Sequence, residues 1–598
     1  MASETEQIAV QGPSSTGPEG QSRTGLLRGL LLSAVSGGLI YLTFPPPDIY
    51  PLAFVALVPV LFAAVRADTW KRALLFGGTA GGVAYVPLLA WLSSVTIGGW
   101  LLLGGYVAVY LAAACILARF FRAKQTWLWP VFFAAAWVGL ELIRARFATG
   151  FPYLLYGYSQ HRSLSLIQLA SLTGVYGVSF VLVLVNAAIV ELWARLDTEE
   201  RLRPAVLWVI GAVGLVVICA GLGARARRSI ETEEGVVVGV VQQNVPRLVE
   251  DLITPPEVAA ARRRLNEGGD ALGAREKEDL QRTIDAYWER RDEEIREEIR
   301  LAARLSRRLA DRDLDLLVWP ETTVQVRLNV AAEMFTDSSA QKLRRWAGDV
   351  LKDLARELDC YLLVGAPSTF SRDAGFVSEA RYGLDVQHAA NSAVLLNRQG
   401  EYIDRYDKMH LVPFGEYVPL VNVLPFLKIL TPMTRNLTPG RDPVVFEMSG
   451  KDGAVARFAA PICYEDVVPE LVSRFVRRGA DFLVNITDEG WYRYPGELRQ
   501  HTAMAVFRAV ENRTTVVRAA NTGISCFIGP SGEIYEQVNR TVDGTVVRRN
   551  VAGTAAAPVR MMDAEPWYVR TGDIFALVCL GVSLVVPVAL ALVGRFRS

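Results

Sequence analysis

Three short stretches of this sequence set a reactive side chain beside the end of a strand-like run. In Leu316-Leu-Val-Trp-Pro-Glu321, Pro320 stops a buried strand and a carboxylate follows. Between Arg405 and Pro419 a strand-like start leads to Lys408 and then to Glu416. In Ala459-Ala-Pro-Ile-Cys463-Tyr-Glu465 an apolar run ends at a thiol, and a helix-like stretch follows. A thiol at such a turn is expected to be exposed, with the helix N-terminus favouring its thiolate. Together these side chains suit nucleophilic acyl chemistry: the thiol attacks, a carboxylate takes and returns its proton, and a fixed cation meets the oxyanion. Spacing alone leaves a second reading open. A cysteine ending a strand also looks like a buried small hydrophobe, and a Glu or Lys beside a strand end is commonly solvated.

The elements that would hold these groups lie between residues 235 and 565. Short β-rich runs recur at 235–241, 314–319, 361–365, 392–396 and 482–485, with helix-like stretches at 342–357 and 496–512. Such alternation predicts a layered α/β domain. The stretch 274–311, dense in Arg and Glu, reads as one long helix with many i,i+4 pairs and a solvated face.

The first 225 residues are different in kind. Spanning a bilayer takes roughly 20 mostly apolar residues. That measure predicts helices at 26–44, 49–66, 72–94, 98–120, 126–147, 168–194 and 204–223, and another at 572–594 after the mixed region. Residues 151–168 are polar enough to lie at the interface. Basic residues gather at alternate turns: Arg23 and Arg28, then Arg66, Lys71 and Arg72, then Arg119, Arg122 and Lys124, then Arg195, Arg201 and Arg203, and finally Arg595 and Arg597. The turns at 45–48 and 93–96 carry none. Because basic residues favour the cytoplasmic side, both termini are expected inside and the large domain outside. Arg144, Arg146 and Arg162 fall on the outer side against that rule; Arg144, at a helix end, suits snorkelling or an anionic headgroup.

Composition narrows the classes further. Of 598 residues 51% are hydrophobic, which fits membrane segments, and a net charge of +1 gives no case for nucleic acid as a partner. Cys115, Cys219, Cys360, Cys463, Cys526 and Cys579 show no CxxC pair or regular spacing, which argues against a disulfide framework or a zinc site. The four histidines lack metal-ligand spacing, so no metal is expected. Residues 1–22, rich in Ser, Gly, Glu and Gln, read as a disordered tail without the order of a cleavable signal peptide.

The three chemistry-bearing segments, in this order, resemble the nitrilase superfamily, whose members use a Glu–Lys–Cys triad on an αββα sandwich. With seven helices before that domain and one after, the chain from residue 25 onward resembles the bacterial apolipoprotein N-acyltransferase family, the membrane-embedded branch of the superfamily. Segments 136–141, 149–153, 499–501, 508–511 and 518–525 resemble that family as well. The implied fold class is a membrane α-helical bundle of eight transmembrane helices plus an α/β nitrilase-like αββα sandwich. The implied division is a disordered tail at 1–24, a seven-helix transmembrane domain at 25–228, an extracytoplasmic catalytic domain at 229–568 and a C-terminal transmembrane helix at 569–598.

Carried over residue by residue, the resemblance implies that Cys463 forms an acyl thioester. Glu321 is then general base and acid, Lys408 stabilises the oxyanion, and the backbone N–H after the nucleophile completes the oxyanion hole. Glu416 supports the site. Tyr464 and Glu465 serve the site or substrate handling, with local packing and bonding as the alternative. Trp491 is either a mobile lid aromatic over the acyl chain or a packing residue, and His410 is structural, since the triad needs no imidazole. The implied reaction is ping-pong N-acylation without a cofactor. It takes an acyl chain from a phospholipid to an S-diacylglyceryl-cysteine lipoprotein, carried out by a monomer in the bacterial cytoplasmic (inner) membrane with its catalytic domain periplasmic. Two competing classes are a membrane-tethered amidase, which needs only one helix, and a non-catalytic scaffold, which would not need all of Glu321, Lys408 and Cys463. The chain departs from the family at 247–251, where an aromatic is often found, and 255–280 looks like an insertion.

Overall fold

The computed structural model describes residues 18–596 apart from 125–126, 148, 248–254, 269–271, 329–337, 370–388, 420, 422–424, 426–436, 493, 495, 543–544, 548 and 564. Most of the expected tail and of the unusual 247–251 segment therefore lies outside the described residues.

Helix α1 (Pro18–Thr43) starts within the stretch expected to be tail. Pro18 stands at its first position, where a missing N–H costs nothing. The expected span 49–66 is broken into a 3-10 turn, Tyr50–Phe54, and the eight-residue α2 (Val58–Val65). A proline begins each piece, and Pro59 has no N–H to carry a helix through from residue 55. Next come α3 (Trp70–Leu88), α4 (Ile97–Ala123) and α5 (Trp129–Arg146). The expected span 168–194 is likewise interrupted: α6 (Ala170–Thr173) and α7 (Val175–Asp197) meet at Gly174, whose φ of +64° favours glycine. Helix α8 (Arg203–Arg228) follows. Among the described residues four helical stretches, at 25–43, 97–123, 175–197 and 203–228, are long and apolar enough to cross a membrane, against the eight spans expected. The segments Tyr50–Val65 and Ile574–Ala589 are shorter apolar helices.

Beyond α8 the chain alternates as its composition predicts. It runs through β1 (Glu233–Gln242), α9 (Pro256–Gly268), α10 (Ala274–Ser306), β2 (Leu316–Val318), α11 (Ser338–Leu358), β3 (Tyr361–Thr369), β4 (Ala389–Leu396) and β5 (Tyr402–Asp407). It continues with β6 (Phe446–Ser449), β7 (Val455–Ala459), α12 (Pro469–Arg477), β8 (Phe482–Thr487), α13 (Gly496–Asn512), β9 (Thr515–Ala520), β10 (Cys526–Ile528) and β11 (Ile534–Gln537). After the hairpin β12 (Arg540–Val542) and β13 (Thr545–Val547) come β14 (Gly553–Met561), α14 (Trp567–Thr571) and α15 (Ile574–Phe596).

Two six-stranded sheets form, in the orders β14-β1-β2-β3-β4-β5 and β11-β10-β9-β8-β7-β6. Each has parallel strands at its centre, β1-β2-β3 in one and β7-β8-β9 in the other. Strands β8 and β9 are buried at every position, as strands covered on both faces must be. The inner faces pack together through Val238, Val240, Leu363, Phe458, Val484 and Val517. Outside the first sheet, Ile295, Ile299 and Ala302 of α10 and Leu343, Leu351 and Leu354 of α11 cover Leu317, Trp319 and Leu362. The charged helix α10 thus has a buried stripe beneath its solvated face. The segment expected as an insertion forms α9 and the start of α10, closed by a small core of Val258, Ala261 and Ile284.

The outer helix of the second sheet, α13, is buried along its length except at Arg499. One side lies on the sheet and the other on the apolar helices. Arg508 reaches the Tyr158 hydroxyl at 3.1 Å, Gln500 donates to the Pro45 and Leu88 carbonyls at 3.0 Å each, and Glu511 accepts from the Val175 N–H at 3.0 Å.

Candidate active site

Glu321, Lys408 and Cys463 lie just beyond the C-terminal ends of β2, β5 and β7, so the layered fold gathers them from distant parts of the sequence. Their positions depend on close backbone packing. A Cβ on Gly365 of β3 would lie 2.5 Å from the Glu321 Cα, so only glycine lets the two strand ends approach. Cys463 itself has a φ of +52°, in the left-handed region where a side chain is strained. The turn is held there by Asn485, whose side-chain amide donates to the carbonyls of Pro461 and Cys463 at 3.2 Å each.

Lys408 is fully buried, with its Nζ 2.9 Å from Glu416 Oε1 and 3.5 Å from Glu321 Oε1. Glu416 is fixed in turn by the Val412 N–H at 2.8 Å, which fits a supporting role. Asn391, in the middle of β4, donates to Glu321 Oε1 at 2.6 Å and to Glu416 Oε1 at 3.1 Å. The other oxygen of Glu321 accepts the Asp488 N–H at 2.8 Å. Asn391 and Asp488 escape sequence reasoning, because an Asn within a strand pattern and an Asp after one carry no signal of what lies opposite.

Electrostatics decide where the protons rest. Burial, and then the charge of Glu321, push the Cys463 thiol well above its ordinary value, with Lys408 opposing them. The expected exposed thiolate is therefore corrected. Cys463 is half-buried and opens only a five-residue 3-10 turn, Cys463–Val467, too short for its end to offset desolvation. Burial also raises Glu321, against the pull of Lys408. Burial pulls Lys408 down, but Glu416 and Glu321 outweigh it and hold the ammonium above its usual range. The resting site is a protonated thiol beside a carboxyl poised to exchange protons, with a permanent cation at hand.

The flanking residues have separate tasks. Glu465 is fully buried and accepts from the Tyr406 hydroxyl at 2.7 Å and from the N–H groups of Met409 at 2.7 Å, His410 at 2.9 Å and Ile462 at 2.8 Å. It ties the Lys408 segment to the Cys463 turn, and burial raises it to about 7. Tyr464 stacks between His410 and Tyr153, each ring 5.8 Å away at 13°. Its hydroxyl donates to the Gly150 carbonyl at 3.3 Å. Tyr153 stacks on Phe151 at 5.3 Å, so a ladder of rings runs from the loop after α5 to the residue beside the nucleophile. Trp491 is half-buried, and its carbonyl accepts from the Ser94 hydroxyl at 3.2 Å.

A second charged cluster lies beside Tyr153, whose ring is 6.2 Å from that of His501. Ligand atoms of Glu489, Glu497 and His501 fall within 4.8 Å of one another, close enough for a metal by distance. The Arg518 guanidinium already sits among them, ion-paired with Glu489 and 2.9 Å from His501 Nδ1, and supplies the positive charge. Burial and Arg518 pull His501 down, but Asp466 at 2.5 Å and Glu489 at 2.8 Å outweigh them and favour the imidazolium.

Two family models match the chain: the apolipoprotein N-acyltransferase N-terminal domain over residues 36–188 and the carbon–nitrogen hydrolase over 283–556. Helix α9 and the start of α10 fall outside both. An apolipoprotein N-acyltransferase of Geobacter metallireducens is 32% identical over 96% of each chain. One from Chlorobaculum tepidum is 26% identical over 96% of each. One from Pseudomonas putida is 30% identical over 85% of this chain and 88% of its own. Among solved structures, a nitrilase-superfamily amidase from Nesterenkonia aligns at 16% identity over 58% of this chain and 97% of its own, with a TM-score of 0.34.

Proposed function

Since the chain belongs to the apolipoprotein N-acyltransferase family, we propose that it moves a fatty acyl chain from a phospholipid, through a thioester on Cys463, to the N-terminal amine of a diacylglyceryl lipoprotein. As Sγ attacks the donor's ester carbonyl, Glu321 takes the thiol proton. The Lys408 ammonium and the backbone N–H of Tyr464 meet the oxyanion. Collapse breaks the ester bond, and Glu321 returns the proton to the departing lysophospholipid. In the second half the lipoprotein's free amine attacks the thioester, Glu321 receives the amine's proton, and the sulfur leaves and regains it as the amide forms. Glu416 and Asn391 act as positioning residues for Lys408 and Glu321, and Trp491 acts as a lid over the acyl chain.

The observation that supports this reading most is the ring ladder. The residue next to the nucleophile is stacked on Tyr153, in a loop of the apolar helical part. A nucleophile joined in this way to membrane helices suits a lipid acyl donor better than a small amide in water. In the accompanying topology, eight helices span the cytoplasmic membrane, the termini lie inside, and the domain at 229–568 faces outward. Basic residues at alternate turns support it.

The test is intact-mass measurement of detergent-solubilised protein incubated with phospholipid. The expected gain is one fatty-acyl mass, removed by hydroxylamine and absent in Cys463→Ala. A wild-type protein that stays unmodified yet hydrolyses small amides would assign it to amidase chemistry instead.

A further inference from the structure

We propose that the opposite end of the helical part, away from Cys463, holds a binding site for one anionic phospholipid. A cavity of about 430 Å³ lies between α1, α2 and α3. Phe62 and Phe76 form its apolar wall, and Arg28, Arg66, Arg72 and Asp68 form its polar one. The wall is tight on the α1–α3 side, where a Cβ on Gly29 would come within 2.1 Å of the Phe76 ring.

The charges in this cavity do not cancel. Arg66 is ion-paired with Asp197, and Arg72 with Asp68. Arg119 adds a further cation at the rim by donating to the Ala67 and Asp68 carbonyls, both at 2.8 Å. Both carboxylates are thus engaged. Arg28 is exposed and has no hydrogen bond or ion pair among the described residues. An exposed guanidinium at the membrane end of an apolar helix, opening on a cavity already rich in arginine, suits an anion.

The surroundings identify the anion as a lipid. Leu31, about one turn beyond Arg28 on α1, is 66% exposed, and Leu75, about one turn beyond Arg72 on α3, is 46% exposed, so apolar surface suited to acyl chains adjoins the arginines. Trp70, at the start of α3, is 53% exposed and has the Lys71 ammonium 5.9 Å from its ring, an arrangement typical of a headgroup boundary. Cationic pockets between membrane helices take phosphodiester headgroups. A headgroup with net negative charge matches this excess of arginine, whereas a zwitterionic one brings its own cation into it. That this end faces the cytoplasmic leaflet rests on the topology proposed above; the charge and the cavity do not.

Native mass spectrometry of the full-length protein tests the site. A Cys463→Ala background keeps acyl transfer out of the readout, so failure of the catalytic proposal leaves the result unaffected. With phosphatidylglycerol and phosphatidylethanolamine offered together, one phosphatidylglycerol is expected to be retained in preference. Arg28→Gln should lower that retention about five-fold, while Arg570→Gln, beside the sandwich, leaves it unchanged. Equal retention of the two lipids overturns the proposal, as does an Arg28→Gln protein with wild-type retention. Glycerophosphate that displaces the lipid at equal concentration would assign the cavity to a free anion. The melting temperature of Arg28→Gln in lipid-free detergent should match the parent's, since Arg28 bonds to no described residue.

Discussion

Two clusters of buried charge lie side by side in this protein, and they are built on opposite principles. Around His501 and Arg518 each cation is held by more than one fixed partner. His501 bridges Asp466 and Glu489, and Arg518 reaches Asp466 at 3.1 Å, Asn485 at 2.9 Å and Glu489. Around Cys463 the pairing is lopsided. Lys408 is close to Glu416 and loose to Glu321, at 2.9 Å against 3.5 Å, so Glu321 is only partly neutralised. Burial alone therefore does not mark the reactive site, since both clusters are buried. The mark is a thiol set beside a carboxyl that shares its one cation with a second acid, Glu416, an arrangement that lets the thiol and Glu321 trade a proton.

That contrast can be broken by experiment, beginning with the largest effect. Glu321→Gln should still fold, at a cost of about 1–3 kcal/mol because its amide must face a donor, yet lose about 10²–10⁴-fold in acyl transfer, the usual worth of a positioned general base. Because the Glu321 charge raises the thiol, the same variant should move the pH midpoint of Cys463 alkylation downward. A midpoint that stays put or rises would mean that the two groups do not share electrostatics. Arg518→Met should do the reverse: a protein destabilised by roughly 3–5 kcal/mol, because buried acids lose their cation. Thermal melts would show it, and an unchanged Tm would dissolve the distinction between the clusters.

Glu465→Gln belongs between these two in kind and below them in size. Its amide would face the Ile462 N–H, two donors together, at a cost of about 1–3 kcal/mol. The pH dependence is also specific. Burial raises Glu465 from 4.5 to about 7, so the stability linked to its protonation is complete below pH 4.5 and lost as pH rises through about 7. Glutamine should flatten that part of the Tm–pH curve, and a parallel curve would count against this linkage.

Much of this site is legible in sequence, because each of Glu321, Lys408 and Cys463 stands beside the end of a strand-like run. Long-range partners are not legible. Asn391 sits in a run that reads only as strand, and nothing local announces the carboxylates opposite it. The thiolate expectation failed because a strand-to-helix pattern does not reveal that the turn is a single short 3-10 element under a buried roof. Hydropathy makes the spans at 49–66 and 168–194 look continuous because it averages over a window, while Pro59 and Gly174 act at single positions. Helix α13, by contrast, is readable to both ends, though nothing local hints that it is enclosed along its length except at Arg499.

That enclosure bears on how this enzyme can be handled and how it can change over evolutionary time. With one side of α13 on the sandwich and the other on the apolar helices, the two parts share a structural member. A fragment holding only the hydrolase-like part would present that helix bare to water and leave Gln500, Arg508 and Glu511 without the partners they have on the apolar helices. The membrane part is therefore not an interchangeable anchor. It is one wall of the enzyme, and the two halves must be inherited, expressed and purified together.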